Sequence, residues 1–234
     1  MRHEGLEQSM SPARMIAIDG PAAAGKSTLA QRLADELGHL YFDTGVMYRA
    51  VTLAALWHEV PIDDEEAVTQ IARCLPIDVR PPTVQDGRKY DILMGGEDVT
   101  WAIRSPEVDA HVSQVSMYVG VRQAMTQRQR EIGLRGDVVM VGRDIGTVVL
   151  PEADLKIYLD ASTEERAHRR YLESQERGEG ESLEEILRSL RMRDELDSTR
   201  DLAPLRAAPD AIVLDTTSLN ADQVFERVIE LAKA

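Results

Sequence analysis

A chain of 234 residues, 43% hydrophobic and 29% charged, is long enough to bury a sizeable core as one domain, with or without an insertion. Its formal net charge of −14 and 4% aromatic content argue against a nucleic-acid polymer as partner, since that needs a positive surface and stacking platforms. The single cysteine, Cys74, rules out an intrachain disulfide framework and reads as a small buried apolar residue. No run approaches the roughly 20 apolar residues of a membrane helix, and the first dozen residues lack a secretory pattern. The expectation is a cytoplasmic protein with a loose leader.

In chain order, continuous apolar runs alternate with helical segments. "MIAID" (15–19), "HLYFD" (39–43), "VVMVG" (138–142), "LKIYLD" (155–160) and "AIVLD" (211–215) suit strands buried on both faces of a parallel sheet. Leu29, Leu33 and Leu37 recur at helical spacing, with Gly38 as a C-cap signal. "DEEAVTQIARCL" predicts a helix. Asp86-Gly87 then stands between two strand-like segments, a hairpin signal. Ser105-Pro106 opens a long helical stretch running towards Arg135, and "STEERAHRRYLESQERG" and "LNADQVFERVIELAKA" predict two more helices. The fold class is α/β, a layered parallel sheet interrupted by an inserted subdomain at about 61–104.

The sharpest motif is "GPAAAGKST", residues 20–28, between the first predicted strand and helix. Gly20, Pro21, Ala22, Ala23, Ala24 and Gly25 form a loop whose backbone N–H groups can wrap phosphate, with the helix N-terminus behind them. Lys26 can bridge β- and γ-phosphates, Ser27 can reach Mg²⁺, and Thr28 completes the run. This loop predicts nucleoside triphosphate binding. A GTP switch would also need an Asn-Lys-x-Asp base reader, and the sole asparagine, Asn220, is followed by alanine. A kinase for a small anionic acceptor needs arginines instead. Arg49 in "DTGVMYRA" and Arg143 in "GRDIGTVV" follow the second and third predicted strands, where guanidinium forks can clamp an acceptor phosphate. The bland alternative for both is surface ion pairing. Arg166 and Arg170, one helical turn apart, are candidates for the donor phosphates, with pairing to neighbouring glutamates as the alternative. His168, His111 and Asp109 lack the partners of a metal site or triad.

"IDGPAAAGKST", "DTGVMYRA", "SQV", "VR", "GRDIGTVV", "DASTEERAHRR" and "APL" (203–205) together resemble the bacterial cytidylate kinases, P-loop nucleoside monophosphate kinases, over nearly the whole chain. Ala22-Ala23 stand where that family often has Ser-Gly, and Ser27 where a glycine is common. The resemblance implies a P-loop kinase core with a five-stranded parallel sheet at 13–60 and 105–234. It also implies a helical lid at about 161–182 and an acceptor-binding role for the hairpin-containing insertion at 61–104. It implies Ser113, Arg122, Asp144 and Arg200 as cytosine contacts, Arg193 and Asp197 on the ribose side, and Thr44, Tyr48, Arg49 and Arg143 lining the same pocket. Lys26, Arg143 and Arg170 would be catalytic, and Arg166 and Arg170 would face the donor. The expected reaction is ATP-dependent phosphorylation of CMP and dCMP with Mg²⁺, by a monomer with no membrane or nucleic-acid partner. The alternatives are another small-acceptor P-loop kinase, such as one for UMP, or a non-catalytic ATP-binding regulator.

Overall fold

The computed structural model describes residues 13–176, 180–200 and 202–234, so the expected leader and part of the expected lid lie outside the described residues. β1 (Met15–Asp19) enters the glycine loop, which delivers the chain to α1 (Lys26–Leu37). Leu29 and Leu33 face the core, and the N–H of Gly38 closes the helix on the Ala34 carbonyl. β2 (Leu40–Asp43) and α2 (Gly45–Trp57) follow, α2 burying most of its surface, as its nearly unbroken apolar sequence requires.

The insertion begins with α3 (Glu65–Cys74), capped by the Asp64 side chain accepting from Ala67 N–H. Its buried stripe is Val68, Thr69 and Ala72. Cys74 therefore falls on the outer face, exposed, with Sγ taking the Gln70 amide at 3.1 Å; the expectation of a buried cysteine is corrected by helical phase. β3 (Ile77–Arg80), β4 (Asp91–Met94) and β5 (Glu97–Asp98) form an antiparallel sheet in that order. The strands flanking Asp86-Gly87 do pair, but not through a tight turn: Arg80 faces Asp91, leaving 81–90 as a long loop. The two-residue turn is Gly95-Gly96 between β4 and β5, with φ of +61° and +91°, a backbone that only glycine takes without strain at both positions. The loop is held by Arg88, which reaches Asp86, Asp91 and Asp98 at 2.7, 3.0 and 2.5 Å, while Trp101 Nε1 donates to Asp86. The Arg88 and Trp101 hydrogen bonds hold the Asp86 carboxyl well below the usual carboxylate range.

The helical stretch expected from Ser105 to Arg135 is two helices, α4 (Pro106–Val115) and α5 (Val119–Gly133). The chain breaks at 116–118, where Ser116 Oγ donates to Ser113 O and extended Tyr118 sends its hydroxyl to Ile62 O. The break leaves Ser116 O free to accept from Arg122 Nη1 at 3.2 Å. β6 (Val138–Val141), β7 (Leu155–Asp160), α6 (Thr163–Glu176), α7 (Leu183–Thr199), β8 (Ile212–Asp215) and α8 (Ala221–Lys233) complete the chain.

The five apolar runs become one parallel sheet in the order β2-β6-β1-β7-β8. All of β6, and β1 from Ile16 onward, are buried, as continuous apolar strands between helix layers must be. The turns leaving the carboxyl ends of β1, β2 and β6 therefore open at the same edge of adjacent strands, where open α/β sheets bind ligands. The main apolar core continues into the inserted sheet through Ile77, Val79, Ile92 and Met94. A smaller cluster of Ala22, Ala167, Ile186 and Leu190 seats α6 and α7 on the glycine loop.

Candidate active site

The glycine loop presents the start of α1 to the cleft with no side-chain cap, so its first backbone N–H groups remain available to an anion. Gly20, at φ +145°, lies against the Leu159 carbonyl of β7. Ala23 adopts φ +59°, a conformation costing an L-residue about 1–2 kcal/mol, where the related motif often has glycine. The Ala22 carbonyl receives Arg166 at 3.1 Å. Lys26 is buried, and its ammonium donates to Pro21 O at 2.5 Å across the loop. Burial and the charge of Arg143 hold its pKa well below the ordinary lysine value, against the pull of Asp43 and Asp19. The Tyr41 ring packs tilted on Tyr90 of the insertion at 5.4 Å, and burial pushes its phenol pKa up.

Beside the loop, charges alternate along a chain of side chains drawn from three distant segments. Arg122 of α5 meets Asp144 at 3.2 Å, Asp144 meets Arg200 at 3.7 Å, and Arg200 meets Asp197 of α7 at 3.5 Å. Asp197 in turn accepts from Arg143 Nε at 2.8 Å. Asp144 is 8% exposed; burial raises its pKa, while Arg122, Arg200 and Arg143 oppose the rise. Arg122 Nε and Arg200 Nη2 are buried donors without a hydrogen-bond partner. A buried unpaired donor is costly, so these two atoms mark where a polar ligand would be rewarded. Tyr48 lies beneath, its ring 5.7 Å from the Arg122 guanidinium, and dehydration raises its phenol pKa.

The other predicted residues divide. Thr44 Oγ1 is buried and spent on Val141 O at 3.0 Å, tying β2 to β6 at the cleft edge. Arg49 is ion-paired with Asp109 at 2.6 Å and donates to Ile103 O. Arg193 stands exposed at the cleft, yet dehydration and the nearby charge of Arg143 hold its pKa below the ordinary value. Ser113 is exposed on α4, about one turn before the Ser116 carbonyl that Arg122 reaches. Arg166 and Arg170 share a helix but not an environment. Arg166 is buried and spends all five donors on Ala161 O, Ala22 O, Thr163 Oγ1 and both oxygens of Asp194, fastening the loop to α7. Arg170 is exposed, with a loose 3.8 Å contact to Glu173. Among the described residues no group of three or more His, Cys, Asp or Glu side chains is placed to hold a metal ion.

One residue of the site was not anticipated from sequence. Asp19, 4% exposed at the end of β1, accepts from Ile145 N–H at 2.8 Å and from Gly146 N–H at 2.7 Å. Burial pushes its pKa up to about 6, opposed first by these two hydrogen bonds. The signal was a carboxylate closing an apolar run on a central strand, where an uncompensated charge is not tolerated.

Loop, helix terminus and converging arginines on a parallel sheet define a P-loop phosphotransferase. The cytidylate kinase family model matches residues 16–234. A cytidylate kinase of Herpetosiphon aurantiacus is 48% identical over 223 residues, covering 95% of this chain and 96% of that protein. One from Chloroflexus aggregans is 57% identical over 199 residues, covering 85% of each. Among solved structures, an uncharacterized protein from Eubacterium ventriosum superposes with a TM-score of 0.53 at 10% identity, over 94% of this chain and 98% of that one; it supports the fold alone. The chain belongs to the cytidylate kinase family.

Proposed function

We propose that this enzyme transfers the γ-phosphoryl group of ATP to CMP and dCMP, giving ADP and CDP or dCDP. The observation that carries the base assignment is buried Asp144 flanked by Arg122 and Arg200, each with an unpaired donor. Cytosine offers an amino donor beside a bare ring nitrogen and a carbonyl. A carboxylate accepts from the first, and guanidinium or hydroxyl donors serve the others, with Ser113 at the rim. Uracil reverses donor and acceptor at two of these positions and would leave buried groups unpaired, a mismatch that can cost about 10⁴-fold in kcat/KM. Arg193 and Asp197 flank the ribose side, and Arg49 and Arg143 take the acceptor phosphate in exchange for their present carboxylate partners.

An ionised acceptor phosphate needs no general base, so catalysis is positioning and charge neutralisation. The loop amides and Lys26 hold the donor's terminal phosphates, Lys26 leaving Pro21 O to do so. Arg143 lies close enough to Lys26 to depress its pKa and so can face the same phosphoryl group from the acceptor side. Arg170 is the lid arginine with donors to spare. The residues present suit Mg²⁺: the Ser27 hydroxyl opens α1 and Asp43 lies near Lys26, hard oxygen ligands of the kind the ion takes alongside ATP oxygens. Bound there, Mg²⁺ would supply charge stabilisation to the passing phosphoryl group. Small cytoplasmic nucleotides as substrates support a cytoplasmic enzyme, and no helix among the described residues is long and apolar enough to cross a membrane.

The test is ADP release with CMP, dCMP and UMP as acceptors, for wild type and Asp144→Ala. CMP and dCMP should lead UMP widely, and the variant should narrow the gap chiefly by losing CMP activity. Equal wild-type values would refute cytosine selectivity; no turnover with any acceptor would favour a regulator.

A further inference from the structure

The residues that carry the base reading sit on a backbone they do not themselves hold. Residues 145–149 form a single π-helical turn, with Asp144 at its N-cap. An N-cap aspartate ordinarily spends its own carboxylate on the N–H of the second or third residue of the turn it opens, here Gly146 or Thr147. Asp144 makes no such bond. The Gly146 N–H is taken instead by one carboxylate oxygen of Asp19 from β1, whose other oxygen accepts from the Ile145 N–H. The Asp144 carboxylate is thereby turned away from its own turn and towards Arg122 and Arg200.

We propose that Asp19 is a positioning residue of the acceptor site: it caps the 145–149 turn in place of Asp144, freeing the Asp144 carboxylate to read the acceptor base. Three features carry this. Asp19 is almost wholly buried, so its two hydrogen bonds are charge-assisted in a dry environment and define the turn tightly. It is the last residue of β1 and immediately precedes Gly20, so one residue registers the donor loop against the acceptor loop. The arrangement is also compact: a Cβ on Gly146 would stand 3.4 Å from Asp19 Oδ2 and 3.2 Å from Lys156 Cδ, leaving the carboxylate little freedom. The inference rests on the acceptor-site reading of Asp144 given above.

Asp19→Asn keeps the shape but puts an amide nitrogen against one of the two N–H donors. Asp144 is then the nearest carboxylate able to cap the turn, and it leaves the base site to do so. The expected result is a fall of about 10-fold or more in kcat/KM for CMP, the scale of one lost charge-assisted hydrogen bond. UMP activity and ATP affinity should each stay within about 3-fold, so the CMP-to-UMP ratio falls by about 3-fold or more. A merely structural Asp19 would lower activity towards both acceptors in parallel and leave that ratio intact, which would overturn the proposal. Asp144→Ala is measured alongside. If it too keeps the wild-type ratio, the base-reading assignment fails; if it loses the ratio while Asp19→Asn does not, only the capping proposal fails. Should Asp19→Asn not fold, amide exchange in the wild-type protein decides. The Ile145 and Gly146 amides should exchange slowly without nucleotide, and exchange as fast as in an open loop would refute the preformed cap.

Discussion

Replacing Gly20 by alanine tests whether the phosphate loop is fixed by the sheet beneath it. The new methyl would be driven into the Leu159 carbonyl oxygen and to 3.1 Å from its carbon, with φ at +145°. Leu159 cannot retreat: it is buried on β7, paired to β8 at Leu214, while the neighbouring Asp19–Tyr158 pair locks β1 to β7. Overpacking costs about 1–3 kcal/mol and the unfavourable φ about 1–3 kcal/mol more. The sum, roughly 2–6 kcal/mol, lowers Tm by at least about 4 °C at the 2–4 °C per kcal/mol expected for this chain length. ATP affinity should fall as well, because relief requires moving the loop amides. Gly25→Ala is the internal control. Its φ is +87°, but a methyl there meets nothing within 4 Å, so only the conformational cost of about 1–2 kcal/mol applies. Thermal melts and ATP titrations of both variants give the answer. A Tm loss in Gly20→Ala no larger than in Gly25→Ala, with unchanged ATP affinity, would refute the claim that β7 sets the loop.

Lys26→Met should lower kcat by about 10³-fold or more while the protein stays folded, since the lost charge follows the phosphoryl group through transfer; near-normal turnover in a folded variant rejects the loop's assigned role. Arg143→Lys keeps the charge but loses the fork, so kcat/KM for CMP should drop about 10- to 100-fold with little change in ATP affinity. Loss of ATP binding with CMP binding intact would move Arg143 to the donor side. Ala23→Gly relieves about 1–2 kcal/mol of left-handed strain against about 0.4–1 kcal/mol of added unfolded-state entropy, so urea melts should show a stability gain of up to about 1.6 kcal/mol. Asp19, with a pKa of about 6 in the fold against 3.8 ordinarily, binds more protons folded than unfolded between those values. Stability from this group therefore rises as pH falls through 6 and is complete below 3.8. Wild type relative to Asp19→Asn should gain up to about 3 kcal/mol between pH 7 and pH 4; a constant difference contradicts the raised pKa.

What could be read from sequence is what short stretches of chain determine. The five strands fell where apolar runs of five or six residues lay, and continuous burial explains that signature for β1 and β6. β8, at the sheet edge, has the same kind of run yet leaves Ile212 and Val213 exposed, so its expected burial on both faces is corrected. The phosphate loop was legible for the same reason: its geometry is made by consecutive residues and the helix they open. Phase within one helix was already harder, as outward-facing Cys74 shows, and so was the choice of turn, which fell to Gly95-Gly96 rather than Asp86-Gly87. The charge partners were not legible at all. With 27 basic and 41 acidic residues, spacing cannot choose Asp197 for Arg143, Asp194 for Arg166 or Asp109 for Arg49. Nor could it tell that Arg166 would be consumed in holding the loop while Arg170, one turn on, stays exposed. Such pairings depend on where α4, α5, α7 and the turn after β6 meet, a meeting set by packing of the apolar faces on a common sheet. Asp19 marks the boundary between the two kinds of information. Its place at the end of β1 is written in the sequence, but its duty at a turn more than a hundred residues away exists only because β1 and β6 pair.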